Sequence, residues 1–307
     1  MLKPSFSIFI LSVLLFFSCS EETSVDNLNP DTEIPEGEGE GEGDDEDNSN
    51  EEPDNPGSDE NTEWKLIFED NFEGPENSKP NQNYWESLEY NRRPNENGPD
   101  GWWDNDDVYL DGQGNLIIRV RTIDNKNNDN DSHDFSTGMI RSRGKFEQKF
   151  GKFEISCKLP EKSGWWVAFW LYADGVDTID GSGEDGTEID IMEGFGWTNL
   201  INHALHFDAY GAEHQSVDKQ VTVDGIREGF HIFSLEWNEE EYIFYIDNEE
   251  SWRTSFGGVS KVPSYIKVSG EISTLDWATG AYWANSINSE DYPDYFIIDY
   301  VKTYQKQ

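Results

Sequence analysis

Nearly every apolar segment of this chain is short, rich in β-branched and aromatic residues, and bounded by Gly, Asn, Asp or Pro. Leu116 to Arg121, Phe153 to Lys158, Val221 to Val223, Phe230 to Trp237, Glu241 to Ile246, Tyr265 to Ile272 and Tyr295 to Tyr304 all have this form. In Phe233-Ser234-Leu235-Glu236-Trp237 apolar and polar residues alternate, the period of a strand with one buried face. No segment carries an apolar stripe of period 3.6 over three turns. Many short strands without helices predict an all-β protein: a jelly-roll sandwich of two stacked antiparallel sheets, one of them concave and forming a cleft for an extended chain. The Asn- and Asp-rich stretch from Asp124 to Asp134 reads as a surface loop.

The chain has 307 residues, enough for two small domains, but its composition argues for one. From Ser20 to Glu63 there are 19 acidic residues and no Lys or Arg, in a stretch dominated by Gly, Pro, Asn and Ser. Such a segment buries too little apolar surface to offset its ordering entropy, so it is expected to be an extended, self-repelling linker. The formal net charge is −42, and the remaining part is still strongly acidic without the linker. That excludes nucleic acid as a general partner and disfavours heavily sulfated polymers unless the cleft itself is basic.

Lys3 precedes an apolar run from Phe6 to Phe17 that is too short to span a bilayer. The following Phe16-Phe17-Ser18-Cys19 resembles a bacterial lipoprotein processing site, and Ser20-Glu21-Glu22 resembles an acidic surface-export tag. The resemblance implies a signal peptide over 1–18, lipid on Cys19, a linker over 19–63 and a folded domain over 64–307, anchored to the bacterial outer membrane and exposed at the surface. Cys157 is then without a disulfide partner; alternating with Ile155, it reads as a small core residue.

Glu188-Ile189-Asp190-Ile191-Met192-Glu193 places three carboxylates in six positions with only large apolar residues between them. On a strand, Glu188 and Asp190 share a face while Ile189 and Ile191 enter the core. Glu193 falls on the wrong face unless a one-residue bulge near Met192 returns it to the Glu188 side. Two carboxyl groups set a few Å apart are the equipment of glycosidic bond cleavage. A half-buried strand with a solvated acidic face is the plainer alternative.

Together with Gly164-Trp165-Trp166-Val167-Ala168-Phe169-Trp170 upstream and His203-Ala204-Leu205-His206 downstream, this motif resembles glycoside hydrolase family 16, the laminarinase, licheninase, agarase and carrageenase group. The family has two signature spacings, E-x-D-x-E and the bulged E-x-D-x-x-E carried here. Phe68 to Gly74, Gly138 to Ser142, Phe150 to Glu154 and Ile298 to Tyr304 look like its framework strands. The resemblance implies a concanavalin-like jelly roll and a retaining double displacement. Glu188 would be nucleophile, Glu193 acid and base, and Asp190 the residue that orients the nucleophile.

It further implies substrate contacts from Trp166, Trp170 and His206, and from Asn91 and Arg93 before Pro94. Trp102, Trp103 and Trp283 are expected at the cleft rim, and His203 is expected to face elsewhere. A structural calcium ion would involve Asp299, with Asp70-Asn71 at the opposing first strand; catalysis itself requires no cofactor. The expected activity is a monomeric endo-hydrolase of an extracellular β-glucan, β-1,3 or mixed β-1,3/1,4. A galactan hydrolase of the agarase, porphyranase or carrageenase kind is the alternative, with Arg92, Arg93, Arg141 and Arg143 as a basic subsite. A lectin-like binding protein is the non-enzymatic alternative.

Overall fold

The computed structural model describes residues 64–95, 99–127, 133–196, 198–272, 290 and 292–307. Cys19, Trp283, the expected signal peptide and the linker lie outside the described residues.

The described strands form two sheets. One has eight strands in the order Gln215–Thr222, Leu200–Phe207, Glu188–Phe195, Trp165–Tyr172, Ser264–Ile272, Met139–Arg141 and Glu86–Ser87, with Glu147–Gln148 also paired to Ser264–Ile272. The other has 11 strands centred on Gly151–Lys158 and Asp294–Lys306, and Trp64–Asp70 pairs with the latter. Pairing is antiparallel except where Gly101–Trp103 runs beside His133–Thr137.

The alternation read from sequence sorts the side chains of the eight-stranded sheet. Trp165, Val167, Phe169 and Leu171 enter the core, while Trp166, Ala168, Trp170 and Tyr172 line a cleft. The next strand repeats the pattern: Ile266, Val268 and Ile272 are buried in the core, and Tyr265, Lys267, Ser269 and Glu271 line the cleft. From the second sheet Phe153, Ile155, Cys157, Phe233, Leu235 and Phe244 close the same core. Each fully buried large apolar side chain of this kind contributes roughly 1.5–3 kcal/mol. Cys157 is fully buried and unpaired, as its alternation with Ile155 predicts.

Of the expected surface loop, Asp124, Lys126 and Asn127 are exposed and residues 128–132 lie outside the described residues. Asp134 departs from it: it is fully buried, accepting hydrogen bonds from Asp100 N, Trp102 Nε1 and Lys126 N. A buried carboxylate holding three donors organises the segment instead of hydrating it. Asn91 and Arg93 lie on a strand, Tyr90–Arg93, paired with Gly101–Trp103.

Candidate active site

The strand Glu188–Phe195 carries the bulge that the carboxylate spacing requires. Asp190 pairs with Ala204 and Glu193 with Asn202, so Ile191 and Met192 together face the single residue His203. On the other side Met192 pairs with Phe169 and Asp190 with Trp170. The extra residue restores the phase, and Glu188, Asp190 and Glu193 all line the cleft. A bulge leaves backbone groups short of ladder partners. Here His203, buried in the core side of the neighbouring strand, places Nδ1 2.7 Å from the Ile191 carbonyl, and Ser251 Oγ lies 2.8 Å from its Nε2. Burial pushes His203 down to about 4, so it is neutral and Nδ1–H donates.

The cleft has a volume of about 1090 Å³. At its floor Glu193 accepts from Trp166 Nε1 and Asn202 Nδ2, both at 2.8 Å. Burial, then the charge of Asp190, raises Glu193 to about 8. The same two causes raise Glu188 to about 7, the hydrogen bond from Tyr210 and the charges of His206 and Lys267 opposing them. Tyr210 Oη donates to Glu188 Oε2 at 2.6 Å. Burial and the Asp190 charge therefore hold both carboxyl groups well above the usual carboxylate range, so that the pair titrates near neutral pH.

His206 Nε2 lies 3.4 Å from Asp190 Oδ2. Burial opposes the charge on His206, but the hydrogen bond and charge of Asp190, then Glu188 and Glu193, lift it to about 9. As an imidazolium it donates from Nδ1 to Nε2 of His214, 3.0 Å away, whose ring stacks on it at 5.1 Å and 9°. Burial and the His206 charge keep His214 below its ordinary value, so it is the acceptor. Glu188, Asp190 and His206 are also the group of acidic and histidine side chains, among the described residues, close enough to share an ion: their donor atoms lie within 4.8 Å.

Tyr210 and His214 were not anticipated from sequence. Both sit on the turn after Leu200–Phe207, where Asp208 (φ 61°) and Ala209 (φ 59°) adopt left-handed backbone. For a residue with a Cβ that conformation costs about 1–2 kcal/mol, so the surroundings must enforce it. Asp208 accepts from Asp180 N, Gly181 N and Gln215 Nε2, and Ala209 N donates to Val176 O. The signal that Asp and Ala in this turn leave in the sequence is faint, because left-handed turns are ordinarily marked by Gly or Asn.

The other expected contacts divide. Trp166 lines the cleft and holds the Glu193 carboxyl, with Arg93 Cζ 4.8 Å above its ring. Trp170 lines it too, but only 6% of it is exposed and Lys267 Nζ sits 3.3 Å from its ring centroid. Trp103 lines the cleft too, but deep in its wall: it is buried, donates to Gly270 O, and lies beneath Arg92. Trp102 turns to Asp134, with Lys126 over its ring. Asn91 is a correction as well; Nδ2 is bound to Asp100 Oδ2 at 2.7 Å, and the residue does not line the cleft. A register irregularity between Asn91 and Arg93 separates their fates.

Arg93 does line the cleft, tied to Glu271. On the far sheet Asp299 Oδ2 accepts from Ser156 Oγ at 3.1 Å, while Asp70 spends its two oxygens on Phe72 N and Trp85 Nε1. Neither joins a group of three acidic or histidine side chains among the described residues, so a calcium ion at Asp299 would draw most of its oxygens from backbone carbonyls.

Comparison with known proteins places this geometry. A beta-glucanase of Rhodothermus marinus is 24% identical over 276 residues, covering 81% of this chain and 87% of that protein. A keratan-sulfate endo-1,4-beta-galactosidase of Sphingobacterium multivorum is 27% identical over 202 residues, covering 62% of this chain and 44% of its own length. The solved laminarinase of Flavobacterium sp. UMI-01 shares the fold, with a TM-score of 0.61 and 24% identity across 78% of this chain and 100% of that one. The family model for glycosyl hydrolases family 16 matches residues 98–294, which contain the bulged strand and both of its neighbours. With that match extending over more than half its length, the chain belongs to glycosyl hydrolase family 16 and is a glycosidase.

Proposed function

We propose that the domain is a retaining endo-glycoside hydrolase that cleaves the β-linked backbone of an extracellular polysaccharide by double displacement. The observation that carries this reading is the bulge, which sets Glu188, Asp190 and Glu193 on one cleft floor. Glu193 protonates the departing glycosidic oxygen while ionised Glu188 attacks the anomeric carbon. The bond from carbon to leaving oxygen breaks as the ester to Glu188 forms. Glu193, left as a carboxylate once its proton has gone to the leaving group, then takes a proton from water as the water displaces Glu188. His206, kept positive by Asp190, holds that carboxylate beside the nucleophile.

The cleft's extent supports endo action. Its lining runs from Ser216 across to Lys267, five adjacent strands, which at about 4.8 Å per strand is roughly 20 Å of open groove. A β-1,3 or mixed β-1,3/1,4-glucan is the first substrate class, in keeping with the glucanases among the relatives. A β-galactan is the second, favoured by the cations that cover the cleft's indole rings. The apolar run before Cys19 supports lipid anchoring at the outer membrane as part of this proposal. Incubating the domain with laminarin, lichenan, agarose and carrageenan tests it: oligosaccharides should appear from at least one polymer, and proton NMR should show their new reducing ends first in the β configuration. Products that begin in the α configuration would refute retention.

A pH dependence accompanies the proposal. Cleavage needs Glu188 ionised and Glu193 protonated, so kcat/KM should be bell-shaped, rising through about 7 and falling above about 8. Tyr210→Phe removes a donor that favours the charged form of Glu188. Its acid limb should therefore move to higher pH, with kcat/KM at pH 6 reduced by about tenfold, the worth of one hydrogen bond to a charged group.

A further inference from the structure

His206 stands where it could serve either of two carboxylates. In the ladder it pairs with Glu188, while Asp190 pairs with Ala204 two residues along the same face. Ala204 offers only a methyl group, so the ring of His206 can lean diagonally across it toward Asp190. One donor atom from each of Glu188, Asp190 and His206 lies within 4.8 Å of the others. The sheet alone therefore does not decide which acid the imidazolium serves. The decision matters, because a hydrogen bond from a cation to Glu188 would occupy the lone pairs that must attack the anomeric carbon.

It is settled from the other side of the ring. His206 Nδ1 lies 3.0 Å from His214 Nε2, and the two rings are within 9° of parallel. With Nδ1 tied there, Nε2 is aimed at Asp190 Oδ2, 3.4 Å away. Glu188 is left to Tyr210, whose Oη donates to it at 2.6 Å. His214 is itself held in place. It sits in the turn that joins Leu200–Phe207 to Gln215–Thr222, with its amide bonded to Gly211 O. The next residue, Gln215, is pinned through Nε2 to Asp208, and the Tyr210 ring packs 5.5 Å from that of His214. The charged and titratable groups that face His206 are thus Asp190, Glu188 and Glu193 from the neighbouring strand and His214 from the turn.

We infer that His214 is a positioning residue for the reaction: it fixes the ring of His206 so that the imidazolium steadies Asp190 and stays off the nucleophile. The inference rests on the double-displacement reading and extends it to a side chain that acts through another. Two substitutions separate the hydrogen bond from the packing. His214→Leu and His214→Gln both lose the ring contact with Tyr210, but Gln offers Oε1 as an acceptor for the Nδ1 proton.

His214→Leu should lower kcat on the preferred polysaccharide by about tenfold, the scale of one hydrogen bond to a charged group, with KM within about twofold of wild type. His214→Gln should recover most of that loss. Added to His206→Gln, the Leu substitution should have no further effect, because its whole action passes through His206. The bond also has its own signature. Proton NMR should show a slowly exchanging ring N–H that is missing from His206→Gln and from His214→Leu but present in His214→Gln. No loss in His214→Leu, equal losses in the Leu and Gln variants, losses that add in the double variant, or a raised KM at unchanged kcat would each overturn the inference. In all four cases wild type still cleaves and Glu188→Gln does not, so the catalytic reading stands. Failure of that reading looks different: no polymer is cleaved and Glu188→Gln matches wild type, which removes both.

Discussion

Glu188→Gln is expected to lower kcat on the preferred polysaccharide by roughly 10⁴- to 10⁶-fold, the scale seen when a covalent nucleophile is removed. Gln has the same shape, and its Oε1 still accepts from Tyr210 Oη, so the cleft keeps its form. It also relieves the repulsion that Asp190 exerts on a second buried negative charge, so the melting temperature should hold or rise. Affinity for the polymer should remain, because the contacts along the cleft do not depend on that charge. The sharper version uses Glu188→Ala with sodium azide. Azide entering the vacated space attacks the anomeric carbon from the nucleophile's side and yields an α-glycosyl azide from a β-linked substrate. Residual activity within tenfold of wild type, with no azide adduct, would place the nucleophile elsewhere.

Glu193→Gln separates the two carboxylates by duty. On polysaccharide, where the departing sugar hydroxyl needs a proton, kcat should fall by about 10²- to 10⁴-fold. On an aryl glycoside of the same sugar the departing phenolate needs none, and formation of the glycosyl-enzyme should recover most of its rate. The sign of the pH effect follows from the raised value of Glu193. Activity requires its protonated form, so the alkaline limb near 8 belongs to Glu193 and should vanish in Glu193→Gln, which does not titrate. Azide acting on Glu193→Ala attacks the glycosyl-enzyme from the opposite side and gives the β-glycosyl product. The two alanine variants thus return opposite anomers, a pattern that a merely structural role for either residue would not produce.

The alternation of apolar and polar residues was sufficient to read the sandwich, because strand periodicity is written locally: Phe233 to Trp237 shows in one line that Phe233, Leu235 and Trp237 enter the core. The bulge was legible for the same reason. Three acids that must share a face but stand out of phase leave one geometric solution. What the chain kept hidden lies in pairings between segments distant in sequence. Nothing near Trp170 indicates that Lys267 will settle on its ring, since that follows only when Trp165–Tyr172 takes Ser264–Ile272 as its neighbour. Tyr210 and His214 were hidden because a non-glycine left-handed turn, enforced by Asp208, aims them. Asn91 was misread because adjacent strand residues look to opposite sides. Its neighbours Tyr90 and Arg92 line the cleft while it binds Asp100.

The irregularity in Glu188–Phe195 also bears on how a sequence of this kind can change length. Ile191 is the surplus position, and the pairs on either side of it, Asp190 with Ala204 and Glu193 with Asn202, bracket it within two residues. Excising it would set Met192 opposite His203 and restore an unbroken ladder, and every acid would keep its orientation. An indel at the heart of the machinery would then leave the acids in place, its penalty being the buried packing of Ile191 in the core and the lost acceptor for His203. The two spacings E-x-D-x-E and E-x-D-x-x-E thereby describe one surface, and the count of residues between acids is a poor guide to the distance between their oxygens.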